Sequence, residues 1–365
     1  MLTFEENLII EYEKSKKRIM DIIIADIVAL ETATDAKIVT LTNHIKMKTG
    51  SLADIYKILT KLNVNNYRFA KQVIPHIYTK SQQEVLKLLD ISDKLLEFTT
   101  VDEKAVLELQ QRLYENLAIA NKSVGLKIIS QYEEEMVGYA TRQLTSGGKT
   151  KELTREFLDD LQKKDIFTIS DKNGKKLNSV AYAKMNIKTT YSSAINIASI
   201  NQTVELDNDL VRMSQHHSSC EVCGLYQGRV YSVSGNSTKY RALSEINDGA
   251  IITWGIVHPN CRHRFTPYVP TLDDNAEEQQ KNSNKAFSDN RSEASIKSYN
   301  KRQEINRWNN EVNKNKESIK ILETLPKIQR SQKQQEQLKK LKKRRSILKK
   351  SIIDKNKKWE MDKGS

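Results

Sequence analysis

The chain has 365 residues, of which 38% are hydrophobic and 29% charged, and its formal net charge is +14. That length suits two or three domains with modest cores, and no apolar run reaches the 18 residues that a membrane span needs. The charge is local: residues 281–365 hold 25 Lys and Arg against 10 Asp and Glu, so residues 1–280 are close to neutral.

The first residues, MLTFEENLIIEYEKSKK, lack the basic start, apolar stretch and small-residue cleavage site of a secretory signal. Residues 1–164 read as helix after helix and predict an N-terminal helical bundle. In the first helix Leu8, Ile9, Tyr12, Ile19, Ile23 and Ile27 recur close to the 3.6-residue period. A second is expected to start at SLADIYKILTKL, with Ser51 as N-cap and Asp54 three residues on. The pattern begins again at Ser81. A long helical stretch from Val101, bent near Gly125, ends at Gly147-Gly148. These stripes read as bundle packing rather than as partner surfaces.

Composition shifts after Leu161. DIFTISDKNGKKLNSV alternates and then turns at Asn173-Gly174, a strong hairpin signal. An amphipathic helix follows in VAYAKMNIKTTYSSAINIASINQTVEL, then strands in DLVRMSQHH and GRVYSVSG. Residues 165–270 thus form a small α+β core. The polar stretch 271–298 reads as a linker. Beyond it, Ile305, Trp308, Val312, Ile319 and Leu322 make one heptad-like stripe, and Leu338, Leu341, Leu348, Ile352 and Trp359 a second. Pro326 between them predicts a basic antiparallel helical hairpin over 299–361. The expected fold is mainly α around that small α+β core.

All three cysteines fall in the core, spaced Cys220-x2-Cys223-x34-His258-x2-Cys261. An odd number with one CxxC pair argues against a disulfide framework, for a metal and for a reducing compartment such as a cytosol. Zinc takes four tetrahedral Cys and His ligands, and a CxxC turn supplies two of them. Cys220, Cys223, His258 and Cys261 are the predicted set, and His217 or His263 could replace His258. Arg262 and Arg264 stand beside the last cysteine to offset the charge of three thiolates. A zinc with four protein ligands is closed, so the expected role is structural. The order also differs from that of a zinc deaminase, which places H-x-E first.

Other chemistry is weak. TSGGKTKE ends like a P-loop, but Gln143 stands where the first glycine belongs, and a helix precedes it. His44 and His76 sit in helical patterns. The basic hairpin, with Lys339, Lys340, Lys342, Lys343, Arg344, Arg345, Lys349 and Lys350, could contact phosphates along one face or an acidic protein surface. The rival readings are a nucleic-acid-binding protein outside any particle and a zinc-dependent nuclease or other hydrolase.

The core resembles the phage minor capsid protein 2 family, within the head-morphogenesis group typified by the F protein of phage Mu. The motifs are Cys220/Cys223, then Gln227-Gly228-Arg229-Val230-Tyr231-Ser232, then His258-Pro259-Asn260-Cys261-Arg262-His263 with Pro267-Tyr268. The helix YAKMNIKTTYSSA is similar to the family's as well, with Lys188 where arginine is commoner. The resemblance implies a non-enzymatic virion component of the phage head, present in the host cytoplasm before assembly. It also implies association with the portal or major capsid protein in head assembly or DNA ejection.

Overall fold

The computed structural model describes residues 4–33, 41–91, 96–146, 168–170, 176–324, 330 and 332–364. Three long helices come first: α1 (Phe4–Ala33), α2 (Leu41–Leu88) and α3 (Thr100–Ser146). Strands β1 (Thr168–Ser170) and β2 (Lys176–Asn178) pair with each other. Then come α4 (Ser179–Glu205), β3 (Leu210–Met213), the one-turn α5 (Glu221–Gly224), β4 (Val230–Ser232), α6 (Ala250–Trp254) and β5 (Phe265–Pro267). Helices α7 (Ala276–Asn284), α8 (Glu293–Thr324) and α9 (Gln332–Gly364) complete the order. Among the described residues the architecture is mainly helical with a two-stranded and a small three-stranded sheet, as the sequence patterns predict. Turn residues Asn173-Gly174, the Gly147-Gly148 stop and Pro326 lie outside the described residues.

Helix α2 differs from the sequence expectation. One helix runs through both Ser51, the expected N-cap, and Ser81, the expected restart, and it contains Pro75. Ser51 Oγ donates to Asp26 Oδ1 at 2.9 Å instead of capping. A proline inside a helix costs about 3 kcal/mol. Burial of its neighbours Ile74, Ile77 and Tyr78 offsets that, at about 1.5–3 kcal/mol for each large apolar side chain.

The chain divides into two compact units. The first comprises Met1–Glu13, Lys61–Asn121 and Leu177–Tyr299. Its helical core joins Leu8 and Tyr12 of α1, Phe69 and Ile74 of α2, Leu109 and Leu113 of α3, and Ala183, Ile187, Ala194 and Ala198 of α4. Asn178 caps α4, its side chain accepting from the backbone N–H of Val180 and Ala181. The other side of α4 carries small polar residues that hold the sheet. Ser199 Oγ donates to Phe265 O at 2.6 Å, and Asn196 Nδ2 donates to Gly255 O at 2.7 Å and His263 O at 2.9 Å. Gly255 has φ +69, and a Cβ there would fall 2.7 Å from Ile197 Cγ1, so only glycine allows the loop to approach α4 this closely.

The sheet order is β4-β3-β5, all antiparallel, with Val211 opposite Tyr231 on one side and Pro267 on the other. Val211 and Met213 point into a second core with Tyr231, Leu243, Ile251, Val257 and Phe265, which also contains Cys223 and Cys261.

Residues 271–298, polar enough to read as a linker, hold α7 and then a strap, residues 285–291, bound to the sheet module. Ser283 Oγ accepts from Val230 N at 2.9 Å, and Arg229 donates to Lys285 O and Ala286 O. Phe287 packs edge-on against Tyr226, with Arg229 and Arg241 over its ring. Hydrogen bonds and one aromatic side chain do here what an apolar run would do elsewhere, which is why composition alone reads as a linker.

The second unit comprises Lys14–Thr60, Lys122–Lys176 and Asn300–Ser365. Gly125 lets α3 close on α2, since a Cβ there would meet Leu59 Cδ1 at 3.0 Å. Helices α8 and α9 are antiparallel: Glu323 pairs with Lys342, Glu311 with Arg344, and Glu304 with Lys355. Ile319, Leu322 and Leu338 bury the seam between them. Arg330 closes the end of α8 by donating to Leu322 O at 2.9 Å and Glu323 O at 3.2 Å.

Candidate metal centre

Two tight turns bring the cysteines and histidines together. Cys220 is the N-cap of α5, and the Gly224 N–H donates to its carbonyl at 2.9 Å, so Cys223 comes back beside it. At the second turn the Cys261 N–H donates to His258 O at 3.0 Å, and Asn260 takes the left-handed conformation at φ 64. Cys220 Sγ lies 3.0 Å from His258 Nε2, and Cys223 Sγ lies 3.1 Å from it. Cys223 Sγ is 3.7 Å from Cys261 Sγ, and Cys261 Sγ is 3.5 Å from His263 Nδ1.

Two overlapping triads result, Cys220/Cys223/His258 and Cys223/Cys261/His263, each with its donor atoms within 4.8 Å of one another. A tetrahedral ion with sulfur at about 2.3 Å and nitrogen at about 2.0 Å separates its donors by about 3.8 Å for two sulfurs and about 3.5 Å for sulfur and nitrogen. The separations within Cys223/Cys261/His263 match that geometry, those of His258 are shorter, and the cluster could hold a metal ion. His217 is exposed and belongs to neither triad.

The charges suit a cation. The hydrogen bond from Cys223, then that with His258, brings the Cys220 thiol down to about 3. Cys223 likewise holds Cys261 down to about 4, ahead of His263. Cys223 itself is pushed up, because its hydrogen bonds to the two flanking sulfurs keep its proton in place. Pairing with Cys220 raises His258 to about 9. The expected counter-charges differ in placement. Arg262 is exposed, while Arg264 is partly buried and within electrostatic reach of Cys261. Arg291 of the strap, ion-paired with Asp289 at 2.7 Å, donates to Ser219 O beside Cys220.

Three residues without an assigned role in the sequence reading support the cluster. Gln227, 1% exposed, accepts from the His216 N–H and lies 3.1 Å from His263 Nε2. Asn290 grips Gln227 from the strap, and the His216 ring packs edge-on against His263 at 4.6 Å. Gln227 stands in the Gln-Gly-Arg-Val-Tyr-Ser motif. Nothing in the spacing of Asn290 marks it.

The basic residues lie elsewhere, on α9. Lys339, Lys340, Lys342, Lys343, Arg344, Lys349 and Lys350 are exposed and Arg345 is half-buried. Lys342 and Arg344 are committed to ion pairs with α8. At 100° per residue, Lys339, Lys343 and Lys350 form one stripe opposite the Leu338/Leu341/Leu348 seam. Trp308 is half-buried with the Lys355 ammonium 5.0 Å from its ring centre. The Trp359 side chain lies outside the described residues.

The fold and the cluster together define a mainly helical protein with a small, metal-competent sheet module. The family described as phage minor capsid protein 2 matches residues 2–350, nearly the whole chain, and the chain belongs to that family. It is thus a phage head component of a structural capsid family. No curated protein and no solved structure matches the chain. Among the described residues no helix is long and apolar enough to cross a membrane.

Proposed function

We propose that the protein is a portal-associated minor capsid component, built into the virion in few copies, that acts in head assembly or DNA ejection without catalysis. The observation that carries this reading is the family match over residues 2–350. The chain would assemble from the host cytoplasm through contacts with the portal or the major capsid protein. As domains we propose a helical part (1–164), a metal-stapled core (165–270), the polar segment 271–298 and a basic hairpin (299–361).

Zinc is the metal proposed, held by Cys220, Cys223, Cys261 and a histidine, His258 or His263. The ion would supply a cross-link between two loops, in a module whose three strands contain only three or four residues each. With four protein ligands it would leave no open position for a substrate, which argues against the hydrolase reading.

The exposed lysine stripe of α9 favours a second role, contact with packaged DNA through phosphates rather than bases. Quantitative mass spectrometry of gradient-purified particles tests the main reading. A few copies per major capsid shell are expected. Complete absence from particles would leave a DNA-binding protein that acts outside the virion.

A further inference from the structure

The cluster offers two histidines for one remaining ligand position, and their surroundings differ. His258 is half-buried, and its Nε2 sits 3.0 and 3.1 Å from two sulfurs. That is hydrogen-bonding range, shorter than the separation of about 3.5 Å between a sulfur and a nitrogen that share a tetrahedral ion. His263 is 3% exposed, and its Nδ1 lies 3.5 Å from Cys261 Sγ. Cys261 in turn lies 3.7 Å from Cys223. Both separations are those of donors around one tetrahedral ion; Cys220 stands in the other triad, with Cys223 and His258, and would turn inward as the fourth ligand.

The orientation of His263 is also locked. Gln227 Oε1 accepts the His216 backbone N–H at 3.1 Å, and Gln227 Nε2 donates to Asn290 Oδ1 at 3.1 Å. A backbone N–H can face only an acceptor, so the oxygen end of the amide is fixed. His263 Nε2, 3.1 Å from that oxygen, must therefore carry a proton. In the neutral ring Nδ1 then keeps its lone pair, directed at Cys261 Sγ. Metal-binding imidazoles are held in this way, by an outer N–H donated to a carbonyl oxygen; His258 Nδ1 also lies 2.7 Å from Pro259 O, so the choice between the two rings rests on their distances to the sulfurs. Asn290 secures the arrangement from the strap, donating from Nδ2 to Gln227 O at 2.8 Å and from its backbone N–H to Gly224 O at 3.0 Å.

We propose that His263, not His258, is the histidine ligand beside Cys220, Cys223 and Cys261, and that Gln227 is the positioning residue that aims it. The inference rests on the metal reading above. The strap is then coupled to metal binding through Asn290.

Cobalt(II) titration of the full chain, followed by its thiolate charge-transfer and tetrahedral ligand-field absorption, tests this. His258→Ala is expected to keep the tetrahedral spectrum, and His263→Ala to lose it. Gln227→Leu should weaken cobalt binding about 10–100-fold. Gln227→Glu should restore it, since a carboxylate still accepts from Nε2, and circular dichroism shows whether each variant is folded. A tetrahedral spectrum that persists in His263→Ala, or is lost in folded His258→Ala, overturns the assignment and leaves the metal reading intact. Equal affinity of Gln227→Leu and the unaltered chain overturns the role of Gln227. Failure of the unaltered chain to bind cobalt overturns the metal reading, and this inference with it.

Discussion

Tyr78 donates a 2.7 Å hydrogen bond to Oδ1 of Asp102, a carboxylate with no exposed surface. The other Asp102 oxygen accepts from Gln82 Nε2 at 3.0 Å and from Thr99 N and Oγ1 at 3.1 and 3.0 Å. The Asp102 N–H returns a bond to Thr99 Oγ1, so the pair forms a capping box at the start of α3. Asn201 of α4 donates to the Tyr78 hydroxyl at 2.7 Å. One buried charge thereby ties α2 and α3 together, and Tyr78 carries the tie on to α4.

Replacing Asp102 by Ala should leave the Tyr78 and Gln82 donors unpaired in the core, while the Thr99 hydroxyl keeps Glu205 Oε1 at 2.9 Å. A destabilisation of about 3 kcal/mol is expected for the first unit, from the cost of buried unsatisfied donors. Tyr78→Phe should cost about 1–2 kcal/mol, since it strands only Asn201 and weakens the carboxylate's shell. Urea unfolding followed by circular dichroism measures both, and a neutral Asp102→Ala would refute the network's importance.

Cys223 belongs to both triads, so Cys223→Ser should abolish metal binding altogether. Proteolysis of residues 210–268 should speed up, while the helical signal of the bundle survives. Elemental analysis and limited digestion read the two effects, and unchanged cleavage of the sheet module would count against a staple.

Phe287→Ala should release the strap, because the ring packs against Tyr226 with Arg229 and Arg241 over it. Tryptic cleavage after Lys285 and Arg291 is expected to accelerate before global unfolding. If both sites stay as protected as in the unaltered chain, the backbone hydrogen bonds alone hold the strap.

The metal-free protein should show a defined pH dependence. Cys220, held at about 3 against an ordinary 9.0, adds stability that grows from pH 3 upward and is complete above 9. His258, raised from 6.5 to about 9, adds stability that is complete below 6.5 and lost on rising to 9. The stability gap between the unaltered chain and Cys220→Ser should widen from pH 3 to 6.5 and then stay level to about 9. Urea titrations with chelator present would show this, and a gap constant between pH 4 and 6.5 would contradict the pairing.

On α9, reversing Lys339, Lys343 and Lys350 to Glu should reduce retention on DNA and flatten its salt dependence, by about 0.9 in log–log slope for each phosphate no longer neutralised. Arg344→Ala, which removes a pair with Glu311, should leave that slope close to unchanged. Equal slopes for the triple variant and the unaltered chain would remove DNA as the partner of this stripe.

Much of this protein was legible in its residue order. The helical period of Leu8, Ile9, Tyr12, Ile19 and Ile23 reappears as buried side chains, because periodicity is a local property of the backbone. The spacing of Cys220, Cys223, His258 and Cys261 pointed to a Cys/His cluster that could hold a metal ion for a similar reason: two short turns suffice to make each half. Motifs of the core also identified the family that residues 2–350 match. Tertiary structure alone decided the rest. Ser51 lies inside α2, its hydroxyl bonded to Asp26, 25 residues away. Asp102 is tolerable only where Tyr78 and Gln82 meet it. Polar residues 285–291 dock because Arg229, Gln227 and Gly224 present partners that no local pattern encodes. Buried polar groups are satisfied by whatever the fold brings within about 3 Å, and that proximity exists only once distant segments have packed.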